Sequence, residues 1–430
     1  MRSRHLEGLA RIYKRLASLP TVALAIDPGG GCAAISLSAT FDAAPAFGEF
    51  HDLSSPLVSS ALEGIRIADF SRILAGPLAT MVLGDLGAEV VKVERPGAGD
   101  DTRGWGPPYD DHGRATYFGA INRNKASLAL DLRSPAGARR ASELIAGCDV
   151  VVENFRPGLM ARLGLDYETL RANRPELIYC SITGFGAGEG ASLPGYDLLI
   201  QAVGGLMSIT GSADGEPTKV GVALVDVVCG LFAAVGILAA VRHRERTGEG
   251  QLVEVDLLSS LLAALVNQAS AYTLAGVVGG RLGNAHPSIS PYELYRTRDG
   301  ELVLAVGNDA QFVALCHEVG LPQLASDERF ATNPQRVANR VELRSALESA
   351  FAARPAKEWA ERLMGLGIPA GQVNDVGQAF ALAEHLGLEP IVEVPRADGS
   401  VARLPRNPIR LSQTPATYRS APPDLPSSGV

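Results

Sequence analysis

The sequence predicts an α/β protein: a Rossmann-like large domain on a parallel sheet, followed by a smaller α+β domain. Two observations carry this. Between Leu62 and Ile182, short apolar runs alternate with segments of helical period, the pattern of strands joined by crossover helices. Beyond Gly283 the pattern changes to a hairpin, residues 292–297 and 302–306 around Arg298-Asp299-Gly300, trailed by helices alone.

Taken in order, residues 64–70 alternate as a strand, and Ala75-Gly76-Pro77 opens a helix carrying Leu78, Met81, Val82 and Leu86. Strands follow at 89–94, 128–132, 149–153 and 177–182, with helices at 134–146 and around 167–173. A helix over 232–241 and the turn Gly248-Glu249-Gly250 lead into a strand at 252–255. Helices at 311–319, 340–353 and 356–366 fill the smaller domain, and 368–373 leads back towards the large one. The expected division is a loosely ordered extension at 1–61, a large domain at 62–282, a small domain at 283–375 and a return segment at 376–430.

Composition excludes several classes. The chain has 430 residues, 46% hydrophobic and 20% charged, enough for two domains with a substantial core. Its net charge is −8 and its basic residues are scattered, so no nucleic-acid surface is expected. Five widely spaced cysteines fit reduced thiols in the cytoplasm better than disulfides or a zinc site, and no metal site is expected. The Arg-rich, acid-poor first nineteen residues resemble a mitochondrial transit segment, which would place the protein in the matrix; a misassigned start or a loose extension reads equally well. Gly29-Gly30-Gly31 reads as linker. Residues 257–280 lack charge over a bilayer's thickness, yet Ser259, Ser260, Asn267, Gln268 and Thr273 favour one helix buried between subunits over a membrane span.

Asp226 is the most informative residue, a single carboxylate in the uncharged run 220–241. Such an acid is either a satisfied structural group or a desolvated nucleophile or base. Elsewhere, cations sit at strand ends: Arg95 after 89–94, Arg133 after 128–132, and Asn154-Phe155-Arg156-Pro157-Gly158 with Arg162 after 149–153. Phosphates want such groups, and an adenine wants an apolar or aromatic face. Gly184-Phe185-Gly186 lacks a clear following helix and is no dinucleotide fingerprint.

Asp226, together with Pro194-Gly195-Tyr196-Asp197, Gln201 to Met207, Thr210-Gly211 and Arg246 to Gln251, resembles the family III CoA-transferases, which include the α-methylacyl-CoA racemases. The resemblance spans about 62–423. It implies an interlocked homodimer, with Asp226 as the catalytic carboxylate. It also implies CoA contacts at Arg95, Leu130, Arg133, Asn154, Phe155, Arg162 and Leu163. No tightly bound cofactor is called for, since the CoA thioester is itself a substrate.

In the transferases the aspartate forms an acyl anhydride and then an aspartyl-CoA thioester, behind apolar walls expected at Val222, Leu224, Val227 and Val228. In the racemases a histidine stands where this chain has Tyr196, and a phenol is a poor proton shuttle near neutrality. The stretch Gly283 to Tyr292 resembles enzymes using succinyl-CoA and a dicarboxylic acceptor, and Leu74 stands where oxalate enzymes have glutamine. Arg72, Leu74, Asp197, Arg281, Asn284 and His286 are the candidate acid-binding residues. Racemase and non-catalytic CoA binding stay open as alternatives; the family's closing segment is missing after Pro423, which bears on activity.

Overall fold

The computed structural model describes residues 60–426. The readings made on the first fifty-nine residues, and on Cys32 among the cysteines, lie outside them.

Six parallel strands form the central sheet: β1 (Arg66–Asp69), β2 (Glu89–Glu94), β3 (Lys125–Ala129), β4 (Val150–Glu153), β5 (Ile178–Thr183) and β6 (Leu252–Asp256). Their order is β3-β2-β1-β4-β5-β6, the doubly wound arrangement in which the chain reverses direction between β1 and β4. β3 begins three residues earlier than expected because Val90 to Glu94 pair with Lys125 to Ala129.

Four helices bear on the site: α1 (Ala75–Asp85), α2 (Leu224–Thr247), α3 (Leu257–Ala264) and α4 (Val266–Ala275). α2 is much longer than the expected 232–241, and its extra turns place Asp226 in its first turn. Its run is apolar on every side, so period gives no start. Burial does show a period: Val225, Cys229, Ala233, Ile237 and Ala240 face the core, while Leu231, Phe232 and Val235 are exposed. Among the described residues it is the one helix long and apolar enough to cross a membrane, with a mean hydropathy of 2.5. The single helix expected over 257–280 is instead the pair α3 and α4, bent by 84° where Val266 takes a φ of 41°.

The later chain forms a three-stranded antiparallel sheet, β7 (Tyr292–Arg296), β8 (Glu301–Ala305) and β9 (Ala370–Gln372). β9 joins the expected hairpin from 65 residues away, a pairing invisible to local pattern. Its core holds Tyr295, Leu304, Phe312, Phe351 and Trp359. A final hairpin, β10 (Ile391–Pro395) and β11 (Val401–Pro405), has its own small core.

The end of the chain is tied to the large sheet through Asp85. This fully buried carboxylate accepts hydrogen bonds from Arg123 at 2.6 and 2.9 Å, from Asn124 Nδ2 at 2.8 Å and from Asn407 Nδ2 at 3.0 Å. Arg123 in turn donates to the Pro405 carbonyl, and Arg419 donates to the carbonyls of Gly84, Gly87 and Ala88. Removing one partner of a buried pair leaves the other's charge uncompensated. Asp85→Ala is therefore expected to cost about 3–5 kcal/mol, read as a lower urea midpoint; an unchanged midpoint would show that Arg123 has another counter-charge.

Candidate active site

In a sheet of this order, ligands bind beyond the carboxyl ends of the strands on either side of the reversal. Here those ends are Asp69 and Glu153, and the loops leaving them are locked together. The Arg72 N–H donates to Asn154 Oδ1 and the Asn154 amide donates back to the Arg72 carbonyl, both at 2.8 Å. The Arg72 guanidinium then lies 4.7 Å from the centroid of the Phe155 ring. Below them Glu153 accepts from the Phe155 N–H at 2.8 Å and the Ser181 hydroxyl at 2.6 Å, which fixes the turn carrying Phe155. Burial pushes the Glu153 carboxyl up despite these bonds.

α1 leads away from this junction and packs along α2. A side-chain carbon at Gly230 would lie 2.5 Å from the Ala75 carbonyl oxygen, so the two backbones touch there. Asp226 is one turn before Gly230 on the same face of α2. The carboxylate is thereby brought to the start of α1, where it lines a cavity of about 750 Å³ with Arg72, Leu74, Ala75, Asn154, Phe155 and Arg162.

The first turn of α2 is capped at a distance. Asp197 Oδ1 accepts from the N–H groups of Val225 at 2.8 Å and Asp226 at 3.2 Å, and its other oxygen accepts from Gln201 at 2.6 Å. The Val225 and Asp226 N–H groups are therefore taken by a carboxylate rather than left for a substrate. Burial first, and the charge of Asp197 second, push the Asp226 carboxyl up from 3.8 to about 7.

A second cavity, about 560 Å³, is lined by Arg95, Leu130, Arg133, Leu163 and Phe155. Arg72 and Phe155 line both cavities, so the two meet at the Arg72–Phe155 pair. The seven residues expected to contact CoA thus line one or the other. Arg95 is also paired with Asp101, and Arg133 with Asp131 at 3.2 Å.

Other expectations need correcting. Val222, Leu224, Val227 and Val228 do not line the cavity in front of Asp226; its apolar walls are Ile73, Leu74, Ile182, Phe185, Leu193 and Leu257. Val222 lies exposed before α2, and Leu224, Val227 and Val228 are half-buried elsewhere on its first turns, whereas strand ends and loops enclose the cavity. Asp197 caps α2, as described. Asn284 lines a separate cleft with Glu293 and Arg344, and His286 accepts from the Ser288 N–H at 3.0 Å and packs on Tyr292. Arg281 binds the carbonyls of Ser212 and Gly215. Within one chain, these three are not brought to Asp226's cavity.

Two features were not expected. Burial, then the charges of Asp226 and Asp197, push the Tyr117 phenol up, although it is far from either aspartate in sequence. Tyr117 lies in a short helix, Thr116–Ala120, after the Gly/Pro-rich stretch 104–113, and nothing local in the sequence signals this. The glycine stretch after β5, set aside as a nucleotide fingerprint, walls the cavity, and its base is pinched where Gly184 and Gly195 meet backbone to backbone.

A carboxylate of raised pKa beside a Rossmann-order sheet, lining the first of two joined cavities that carry guanidinium groups, defines an enzyme that works on a large anionic substrate. The sequence model of CoA-transferase family III matches residues 62–427. The chain is 44% identical over 370 residues to the succinate–glutarate CoA-transferase of Agrobacterium fabrum, covering 85% of this chain and 92% of that one. It is 44% identical over 365 residues to the succinyl-CoA:glutarate CoA-transferase of Mus musculus, covering 85% and 84%. A crystal structure of a CaiB/BaiF family protein from Brucella suis superposes with a TM-score of 0.76 at 43% identity, covering 86% of this chain and 97% of that one. The chain belongs to CoA-transferase family III.

The Asp226 environment makes a pH-dependent prediction about stability. Between the unfolded value near 3.8 and the folded value near 7, the folded state holds a proton that the unfolded state has lost. Stability contributed by the protonated form is therefore lost as pH rises through about 7. Asp226→Asn should melt higher than the parent by a margin that grows from pH 5 to pH 8. A margin independent of pH would mean that the carboxyl titrates in the ordinary range.

Proposed function

We propose that the chain transfers CoA from succinyl-CoA to a dicarboxylic acid through covalent intermediates on Asp226. The observation that carries this is the placement of a partly desolvated, raised-pKa carboxylate in the cavity that joins the guanidinium-lined one. The curated relatives named for glutarate favour a short dicarboxylate as acceptor. Arg95, Arg133 and Leu130 would hold the nucleotide end of CoA, with Phe155 and Arg72 at the neck. Asn154 would act through Arg72, whose backbone it holds.

Asp226 attacks the succinyl thioester carbonyl, the C–S bond breaks, and CoA leaves as thiolate from a succinyl–aspartyl anhydride. The thiolate attacks the Asp226 carbonyl and releases succinate, leaving an aspartyl-CoA thioester. The acceptor carboxylate displaces the thiolate to form a second anhydride. The thiolate then attacks the acceptor's carbonyl, giving the new acyl-CoA and free Asp226. No proton is gained or lost overall. The raised pKa strengthens the nucleophile but requires the ionised form, so kcat/KM should fall as pH drops below about 7. The first turn of α1 at Leu74 and Ala75 carries no side-chain cap, and its N–H groups would steady the tetrahedral oxyanions.

We propose a homodimer interlocked with a second copy, supported by the exposed apolar side chains Leu231, Phe232, Val235, Leu262 and Leu274. That arrangement would leave the apolar helix α2 between subunits rather than in a membrane, in a cytoplasmic protein. Racemisation is disfavoured because Tyr196 lines the cavity in front of Asp226 and, among the described residues, no histidine does.

Asp226→Asn should lose transfer by at least a thousandfold while CoA binding, read by calorimetry, changes little. With ¹⁸O-labelled acceptor, one label should remain on the peptide containing Asp226. Near-parental turnover by the variant, or fast α-deuteration of a 2-methylacyl-CoA without CoA exchange, would overturn the assignment. Arg162→Ala should raise the KM for acyl-CoA roughly 10- to 150-fold, the worth of a charged hydrogen bond, with a smaller effect on kcat. An unchanged KM would leave Arg162 as a surface cation.

A further inference from the structure

The turn between β1 and α1 is restrained at every residue. Ile73 has a φ of 68°, a left-handed conformation that a β-branched side chain rarely adopts. The Ser71 N–H donates to Asp69 Oδ1 at 3.0 Å, and the Ser71 carbonyl accepts from Lys92 Nζ at 2.9 Å. Both backbone groups of Arg72 are bound by Asn154. The Ile73 N–H reaches Asp100 Oδ1 at 3.4 Å.

Beneath the turn lie four buried charges: Asp69, Lys92, Asp100 and Lys125. Lys92 pairs with Asp100 at 2.9 Å and Lys125 with Asp69 at 3.0 Å. Burial alone would raise the Asp69 carboxyl, but Lys125, Lys92 and the hydroxyls of Ser71 and Thr80 hold it low and ionised. Buried ion pairs of this kind seldom add net stability over apolar packing, so stability is a poor account of the array. What it holds is a better one. Lys125 reaches the Pro77 carbonyl in α1's first turn and Asn122 before β3. Lys92 instead reaches the turn itself, through Ser71 and through Asp100. The two residues after Ile73, Leu74 and Ala75, line the cavity with Asp226, and Ala75 is the residue against which Gly230 packs.

We propose that Lys92 is a positioning residue for the reaction at Asp226: through Ser71 and Asp100 it holds the left-handed turn at Ile73, and with it the wall at 72–75. The proposal rests on the reading of Asp226 as the reacting carboxylate. A displacement of about 1 Å at a reacting centre costs on the order of a hundredfold in rate.

Lys92→Met keeps the stem and removes the ammonium. Its kcat should fall about a hundredfold, while the affinity for free CoA falls less than about tenfold, because Arg95, Arg133 and Arg162 lie outside the array and only Arg72 at the neck belongs to the held wall. Ile73→Gly permits the same turn without strain. Placed in Lys92→Met, it should restore at least about tenfold of the lost kcat, as the strained turn is what the lysine holds. A kcat within threefold of the parent, or a loss that Ile73→Gly does not relieve, overturns the proposal. If Lys92→Met does not accumulate folded, Lys92→Met/Asp100→Asn removes both charges and is judged by the same rescue. Asp226→Asn is measured alongside. Should that variant stay active, amide exchange over 71–76 decides instead: faster exchange in Lys92→Met upholds the turn-holding role, and unchanged exchange overturns it.

Discussion

The contact between Gly230 and the Ala75 carbonyl is the constraint on which the site depends. Two helices that belong to opposite ends of the large sheet's sequence are brought to backbone contact there, and only a hydrogen fits between them. α1 starts at the end of β1, at the point where the strand order reverses. α2 starts with the carboxylate. Close packing of the two therefore sets Asp226 at the mouth of the crevice where this type of sheet receives ligands. A larger residue at 230 would part the helices and move the carboxylate with them.

The electrostatics follow from the same geometry. A helix N-terminus ordinarily favours a nearby anion and would lower a carboxyl pKa. In α2 the Val225 and Asp226 N–H groups are spent on Asp197, which brings its own negative charge to the pair. One residue thus completes the helix and opposes ionisation of its neighbour. Burial adds to the effect, and Asp226 stands near 7 rather than near 4. The Arg72, Arg156 and Arg162 side chains line the same cavity, yet among the described residues none forms a salt bridge with Asp226, and no cation offsets its burial.

The sequence made the sheet legible because each strand is a short apolar run followed by a helix signal, and Asp226 legible because charge is absent around it. Asn154, Phe155 and Arg162 were readable as a strand-end motif. The parts that stayed hidden share a cause: they are relations between distant residues. The start of α2 has no apolar period, because the run before it is apolar too. The capping of α2 by Asp197 spans 29 residues, and the pair of Lys125 with Asp69 spans 56. The influence of Asp197 and Asp226 on the Tyr117 phenol likewise joins residues some 80 to 109 positions apart. The break at Val266 needs a positive φ on a β-branched residue, which local propensity argues against.

An uncharged helix serves this chain in two ways that are hard to separate by composition. From Leu224 to Val241 its only ionisable carboxylate is Asp226, so the low polarity that packs α1 against α2 also desolvates that carboxylate. The stripe from Val225 through Ala240 suffices for that packing. Leu231, Phe232 and Val235 lie on other faces and are not used by it. A helix apolar all round needs cover on every side. In a single copy that cover is incomplete, and the proposed second copy would provide it. The same surrounding would withdraw Asp226 further from water, where an aspartyl anhydride is protected from hydrolysis. Subunit association and the chemistry would then draw on one property of one helix.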